Sequence, residues 1–250
     1  MSTNTLSIYG LEARYEFLRT LRMPAFAVPT LLFPAMFYVF FGIVFAPRSG
    51  GNPMSSYLLA SYGCFGVIGP ALFGFGAGVA VERGLGWLTL KRATPMPPGA
   101  YFAAKLAMSL TFAALVVAIL FALGAGAAGV RLSTAHWAGL AFSLIVGAIP
   151  FCAMGLAIGF WVSPQAAPAI VNLVYLPMSF FSGLWIPIEA FPKALQNVAL
   201  ALPPFHFLKI ALHASGLKAT NSLGMHVGVL VVFTVACLGV ALAGYRRSAA

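Results

Sequence analysis

Long apolar runs alternate with short polar joints along this chain. Six runs reach the roughly 20 apolar residues that a bilayer crossing needs. They are Ala25–Ala46, Tyr57–Val81, Leu106–Val130, Trp137–Trp161, Ala166–Ile188 and Leu223–Gly244, and none contains Asp, Glu, Lys or Arg. Period-two alternation is absent, which argues against a β-barrel. Helices satisfy their own backbone groups in lipid, so the pattern predicts an all-α membrane protein with six transmembrane helices. The third is expected to begin early, over 100–130, with Lys105 snorkelling back to the interface. The first run is too long for the apolar segment of a signal peptide.

The joints carry the polar residues. In Ser7–Arg22, Ile8, Leu11, Tyr15 and Leu18 share one helical stripe, with Glu12, Glu16 and Arg19 to one side. That predicts an interfacial helix over 7–22, lying on the bilayer before the first crossing. The joint 82–99 is too polar to span and too apolar for a free loop. Trp87, Leu88 and Leu90 give it a sticky face, Lys91 and Arg92 hold it at the headgroups, and three prolines end any helix. A short amphipathic helix here suits docking to a soluble partner. The segment 185–222 stays apolar, but Pro187, Pro192, Pro203 and Pro204 divide it into pieces too short to cross, such as Lys193–Ala201 and Phe205–Ala214. Broken apolar helices at a membrane face lie at the interface or re-enter the bilayer, which suggests a lid over an outer mouth. Gly74/Gly78, Gly155/Gly159 and Gly224/Gly228 are GxxxG pairs, expected to pack helices within one subunit.

Composition sharpens this picture. Charged residues make up 7% of the 250 and hydrophobic ones 61%, whereas a soluble domain is about 25% charged. A soluble enzyme, a DNA-binding domain and a disordered tail are therefore all poor readings. The net charge of +10 is an orientation signal rather than a nucleic-acid footprint. With the N-terminus inside, Arg14, Arg19, Arg22, Arg83, Lys91, Arg92, Lys105, Arg246 and Arg247 fall on the cytoplasmic side. Arg48, Arg131, Lys193, Lys209 and Lys218 fall outside. The bias places both termini in the cytoplasm. Cys64, Cys152 and Cys237 lie in separate runs and read as small core hydrophobes, with no metal-ligand spacing.

Catalytic motifs are missing. There is no G-x-x-x-x-G-K-[ST], H-E-x-x-H or G-x-S-x-G, so the chain is expected to bind no ATP phosphates and to hold no catalytic residue of those kinds. His136, His206 and His213 fall near the outer face and His226 in the last span. A set of His206, His213 and Glu189 would suit a polytopic membrane enzyme. Ion-coupled carriers usually hold ionisable groups at depth, whereas Gln165, Asn172 and His226 are the main strongly polar side chains in these spans. A path of Phe, Met, Tyr and Gly fits an apolar or amphiphilic passenger. Its driving energy would come from elsewhere.

Two stretches bear a family pattern. Glu82-Arg83, Gly86, Leu88 and Thr94-Pro95 match E-R-x-x-G-x-L…[ST]-P. Leu176-Pro177, Ser182-Gly183, Pro187, Pro192, Leu195-Gln196 and Pro203 match LP…SG…P…P…LQ…P. In these, and over nearly its whole length, the chain resembles the bacterial permease subunits of type 2 ATP-binding-cassette (ABC) exporters. It departs from them at Gly84 and Thr89, where the family often has acids, and in a more pronounced Lys91-Arg92 pair. The resemblance implies an inner-membrane subunit in a homodimer or heterodimer of permeases above two ATPase subunits, which hold ATP and Mg. This chain would bind no cofactor itself. It further implies a coupling helix built from Glu82, Arg83, Gly86, Trp87, Leu88, Leu90, Lys91, Arg92, Thr94 and Pro95. An outer gate would involve Ser182, Gly183, Pro187, Glu189, Pro192 and Pro203. Drugs, lipids and lipid-linked glycans are the passengers it implies.

Overall fold

Helix α1, Thr5–Leu21, turns at the extended residue Met23 into α2, Pro24–Phe37. Pro24 opens α2 where its missing N–H is no loss. Pro29 and Pro34 stand inside α2, and past them the helix loosens into a π-helical turn, Tyr38–Val44. Helix α3, Pro53–Leu72, contains Pro70 and loosens in the same way at Phe73–Ala77 before continuing as α4, Gly78–Gly84. Gly86, at φ 74°, turns the chain into α5, Trp87–Arg92. Then come α6 (Pro98–Gly126), α7 (Thr134–Val146), α8 (Ile149–Trp161) and α9 (Ala167–Phe181). A 3-10 turn at Ile188–Ala190 leads to α10 (Lys193–Ala199), α11 (Pro203–Ala214) and α12 (Leu223–Arg247). This computed structural model describes residues 5–46, 53–94, 96–217 and 222–247, so Arg48, Pro95 and Lys218 lie outside the described residues.

Every regular element among the described residues is helical. Five stretches are long and apolar enough to cross a membrane: Pro24–Val44, Met54–Gly84, Gly99–Gly126, Thr134–Trp161 and Leu223–Arg247. The expected run 166–188 is not one helix. Helix α9 stops after 15 residues, about 22 Å, because Gly183 adopts φ 81°. The amide of Leu184 then closes back on the carbonyl of Ser179 at 3.2 Å, a glycine-terminated helix end. The second run is longer than expected and carries Glu82 and Arg83 on α4 rather than in a joint. The third starts at Pro98 and ends at Gly126, short of Val130. Gln165 belongs to no span; it sits exposed in the turn between α8 and α9.

Helix α3 is the buried axis of the bundle, with Leu59, Val67, Ile68 and Leu72 fully enclosed. Helix α8 packs on its lower half through glycine. A Cβ on Gly159 would stand 2.7 Å from the Phe75 carbonyl oxygen, and one on Gly155 3.0 Å from that of Ala71. Gly224 and Gly228 meet nothing within 4 Å, so that pair makes no close approach within the subunit. Between α7 and α8 the chain breaks at Gly147, where the ring of Phe207 from α11 presses in. Most of the face of α11 from Pro203 to Leu208 is buried, which makes it an internal prop of the bundle.

Helix α1 runs beside the first turns of α6, with Glu16 meeting Lys105 and the Phe17 ring tilted against that of Phe112 at 5.6 Å. Its polar side faces the protein: Glu16 and Thr20 are buried, while Leu11 and Tyr15 point outward. The Glu16 and Arg19 that lie to one side of the apolar stripe thus meet other helices of the protein. In a membrane the apolar stripe can face lipid, which frees the polar side to make internal ion pairs.

Candidate functional site

The ends of α1, α4, α5 and α6 converge on one knot of charge. Glu82, on the last turn of α4, accepts a 2.5 Å hydrogen bond from the Tyr101 hydroxyl and a 3.0 Å bond from Lys105 Nζ. Lys105 also binds Glu16 at 2.7 Å, and Arg19 binds Glu16 at 2.8 Å and Glu82 closely. Lys91 on α5 pairs with Glu12 on α1. Lys105 is only 1% exposed, so its ammonium is an internal ion and does not snorkel to the interface. Two carboxylates and a tyrosine ring at 5.3 Å replace its water. Burial opposes the Arg19 charge, but the Glu82 hydrogen bond and the charges of Glu82 and Glu16 hold its pKa above the ordinary value. Burial and the like charge of Lys105 push the Lys91 ammonium below its own.

Arg83, one residue on, points about 100° around the helix and serves a different neighbour. Its guanidinium donates to the carbonyl oxygens of Phe160 and, at 2.7 Å, Val162. These are unsatisfied acceptors at the C-terminus of α8, where a cation is favoured. Neighbouring residues thus tie the end of the second crossing to α1 and α6 on one side and to α8 on the other.

The turn and α5 follow from local geometry. Gly86 supplies the positive φ that a side chain would strain. A Cβ on Gly84 would stand 2.3 Å from Pro164 Cγ, which explains why no acid occupies that position. Thr94 Oγ1 donates to the Lys91 carbonyl at 2.7 Å and closes the helix. On α5, Leu90 is 68% exposed and Trp87 is exposed with the Arg19 guanidinium 5.2 Å over its ring, while Leu85 stands free on the preceding turn. Leu88 is half-buried against the main core. That corrects the expectation that Leu88 and Leu90 form one exposed face; Leu88 anchors the helix and Leu90 is presented. Arg92 ends α5.

At the opposite end of the bundle, the turn after α9 is pinned to the start of α3. Ser61 donates to the Leu184 carbonyl at 2.6 Å and Tyr57 to that of Gly183 at 3.3 Å. Ser182 is fully buried there. Pro187 precedes the 3-10 turn that holds the exposed Glu189, Pro192 precedes α10, and Pro203 opens α11. Gln196 Nε2 donates to the Phe191 carbonyl at 2.8 Å and braces α10. His206 makes a pair that the sequence left unmarked. Its Nδ1 lies 2.8 Å from His226 Nδ1 on α12, and its Nε2 lies 2.9 Å from the Leu200 carbonyl. That ties His206 to the last span.

Between the two ends, α2, α3 and α9 border a groove of about 310 Å³, lined among others by Thr30, Phe33, Phe65, Phe73, Asn172 and Tyr175. Tyr175 spends its hydroxyl on the Phe65 carbonyl at 2.7 Å. Asn172 and Thr30 remain as its polar side chains.

The model of the ABC-2 type transporter family matches residues 11–215, from α1 through α11. The chain belongs to the ABC-2 type transporter family. Over 203 residues it is 30% identical to the "Putative transport permease YvfS" of Bacillus subtilis (strain 168), covering 81% of this chain and 83% of that one. It is 29% identical over 133 residues to nodulation protein J of Rhizobium leguminosarum bv. viciae, half of this chain and 49% of the relative. As an ABC-2 permease with several membrane-crossing helices, it is a multi-pass transport protein. Sequence reasoning missed Lys105 and Glu16 as members of the knot. The available signal was a lysine and a glutamate at the margins of apolar segments in a chain with only four acids.

Proposed function

We propose that this ABC-2 permease is the membrane subunit of an ATP-driven exporter that carries no ATPase of its own. In this reading α5, with Trp87, Leu90, Lys91 and Arg92, and Leu85 on the turn before it dock on a separate ATPase that holds ATP and Mg. Two such ATPases sit beneath a pair of permeases in the bacterial inner membrane, with both termini of this chain cytoplasmic. Helix α9 and its pinned turn complete a sixth passage too short to cross as one helix. The groove between α2, α3 and α9, aromatic with few polar groups, suits a hydrophobic or amphiphilic passenger such as a drug, lipid or lipid-linked glycan. The outer turns at Ser182–Gly183, Pro187, Glu189, Pro192 and Pro203 gate its release.

One observation carries the reading. Helix α5 presents Leu90 outward while Lys91 on the same turn is paired to α1, and the adjoining α4 is tied through Glu82 and Arg83 to α6 and α8. A push on α5 therefore reaches four helices through short polar contacts. The test is co-purification with a P-loop ATPase subunit of an ABC exporter co-expressed with the chain. Leu90→Asp is expected to lower ATPase recovery at least tenfold with permease yield and melting temperature unchanged. Full recovery with Leu90→Asp overturns the docking site, and transport in vesicles without ATP overturns the energy source.

A further inference from the structure

The whole chain has four acidic side chains, Glu12, Glu16, Glu82 and Glu189. Three are taken up in the knot against three cations: Glu12 with Lys91, and Glu16 and Glu82 with Arg19 and Lys105. The fourth stands in the 3-10 turn at the opposite end of the bundle. No further acidic side chain exists to neutralise Arg14, exposed on α1, and Arg22, exposed in the turn just past its end.

Their placement on the helix is specific. At 100° per residue, Arg14, Arg22, Leu11, Tyr15, Leu18 and Leu21 fall within about a third of the circumference, opposite the buried Glu16 and Thr20. Leu11, Tyr15 and Leu21 are exposed there, Tyr15 by 65%. The backbone positions of the two arginines, eight residues apart with the Arg22 amide still bonded to the Leu18 carbonyl, lie about 12 Å apart along the axis. The outward face of α1 is thus apolar with uncompensated cations set into it, and the chain passes directly from it at Met23 into the first membrane crossing.

We propose that this face of α1 binds the headgroups of anionic phospholipids, with Arg14 and Arg22 taking lipid phosphates while Leu11, Tyr15 and Leu21 enter the acyl boundary. Guanidinium forks match phosphate oxygens, and interfacial helices gain both from buried apolar area and from attraction to anionic lipid. An acidic protein surface would satisfy the arginines but would leave the interleaved leucines and tyrosine without an apolar phase. The internal pairing of the acids has a second consequence: it removes the negative charge that would otherwise repel such lipids.

The test uses the full chain carrying Tyr15→Trp, reconstituted in vesicles of phosphatidylcholine and phosphatidylglycerol at one fixed ratio. Either lipid is brominated in turn, and quenching is read as the increment over the parent chain. Brominated phosphatidylglycerol is expected to quench the introduced indole several-fold more than its share of the bilayer. High salt, or Arg14→Gln with Arg22→Gln, removes that excess and leaves quenching by brominated phosphatidylcholine and the melting temperature in place. Quenching in simple proportion to lipid content overturns the proposal, leaving an interfacial helix without charge selection. No quenching by either lipid also overturns it and assigns the face to a protein partner.

Discussion

Lys105 Nζ lies 2.7 Å from the Glu16 carboxylate, deep enough in the packed ends of α1 and α6 that the lysine is 1% exposed. Such a pair gains little over an apolar substitute, but breaking it from one side leaves charge buried without a partner. Lys105→Met strands part of the charge on Glu16 and Glu82 and is expected to cost roughly 3–5 kcal/mol. Thermal unfolding in detergent measures it. Lys105→Met with Glu82→Gln should recover part of the loss, because Arg19 still serves Glu16. A melting temperature equal to wild type for Lys105→Met would show that the knot contributes nothing.

Leu88 and Leu90 separate stability from presentation. Leu88 packs on the core and Leu90 does not. Leu88→Ala is expected to destabilise by about 1–2 kcal/mol through lost apolar burial, and Leu90→Ala to stay within about 0.5 kcal/mol. Equal melting shifts would mean that both leucines share one environment.

The His206–His226 contact fixes two tautomers. The Leu200 carbonyl can only accept, so His206 carries its proton on Nε2 and offers a bare Nδ1. The partner must then donate from Nδ1 of His226. Nitrogen-15 spectra of histidine-labelled protein at neutral pH should show an Nδ1–H ring, that of His226, which disappears in His226→Leu while the Nε2–H ring of His206, held by the Leu200 carbonyl, remains. That variant leaves a buried acceptor unpaired, at a cost of about 1–3 kcal/mol. Absence of any Nδ1–H ring that His226→Leu removes would contradict the pairing.

Much of the fold was legible because apolar run length has one meaning in a bilayer. Leu106–Val130 and Leu223–Gly244 have few ways to satisfy their backbone other than as crossing helices. The turn after α4 was legible as a breaker pattern, since Gly86 and the three prolines restrict the backbone locally. The end of α9 was not, because Ser182-Gly183 interrupts a run whose hydropathy continues to Ile188. The partners of the polar side of α1 were not legible either. Amphipathicity locates a polar side without saying whether water or another helix's charges meet it, and Glu16 meets Lys105. His206 and His226 stand 20 positions apart on helices whose packing no local pattern encodes.

The break between α7 and α8 yields the sharpest steric prediction. Gly147 has an ordinary helical φ of −66°, so backbone freedom does not explain it. Space does: a Cβ there would stand 2.0 Å from Phe207 Cε2. Phe207 is fully buried, with the Phe151 ring 5.7 Å away, so it has little room to withdraw. Gly147→Ala is therefore expected to destabilise by about 1–3 kcal/mol or more as an overpacking change, whereas Gly228→Ala, which meets nothing within 4 Å, should be neutral or slightly stabilising through its helix propensity. If the Phe207 ring is the obstacle, Phe207→Leu added to Gly147→Ala will cost less than the sum of the two single changes, a coupling that contact pairs show and distant ones do not. Strict additivity in detergent melting would place the obstacle in the backbone of α7, where Ser143 O lies 2.6 Å from the same Cβ.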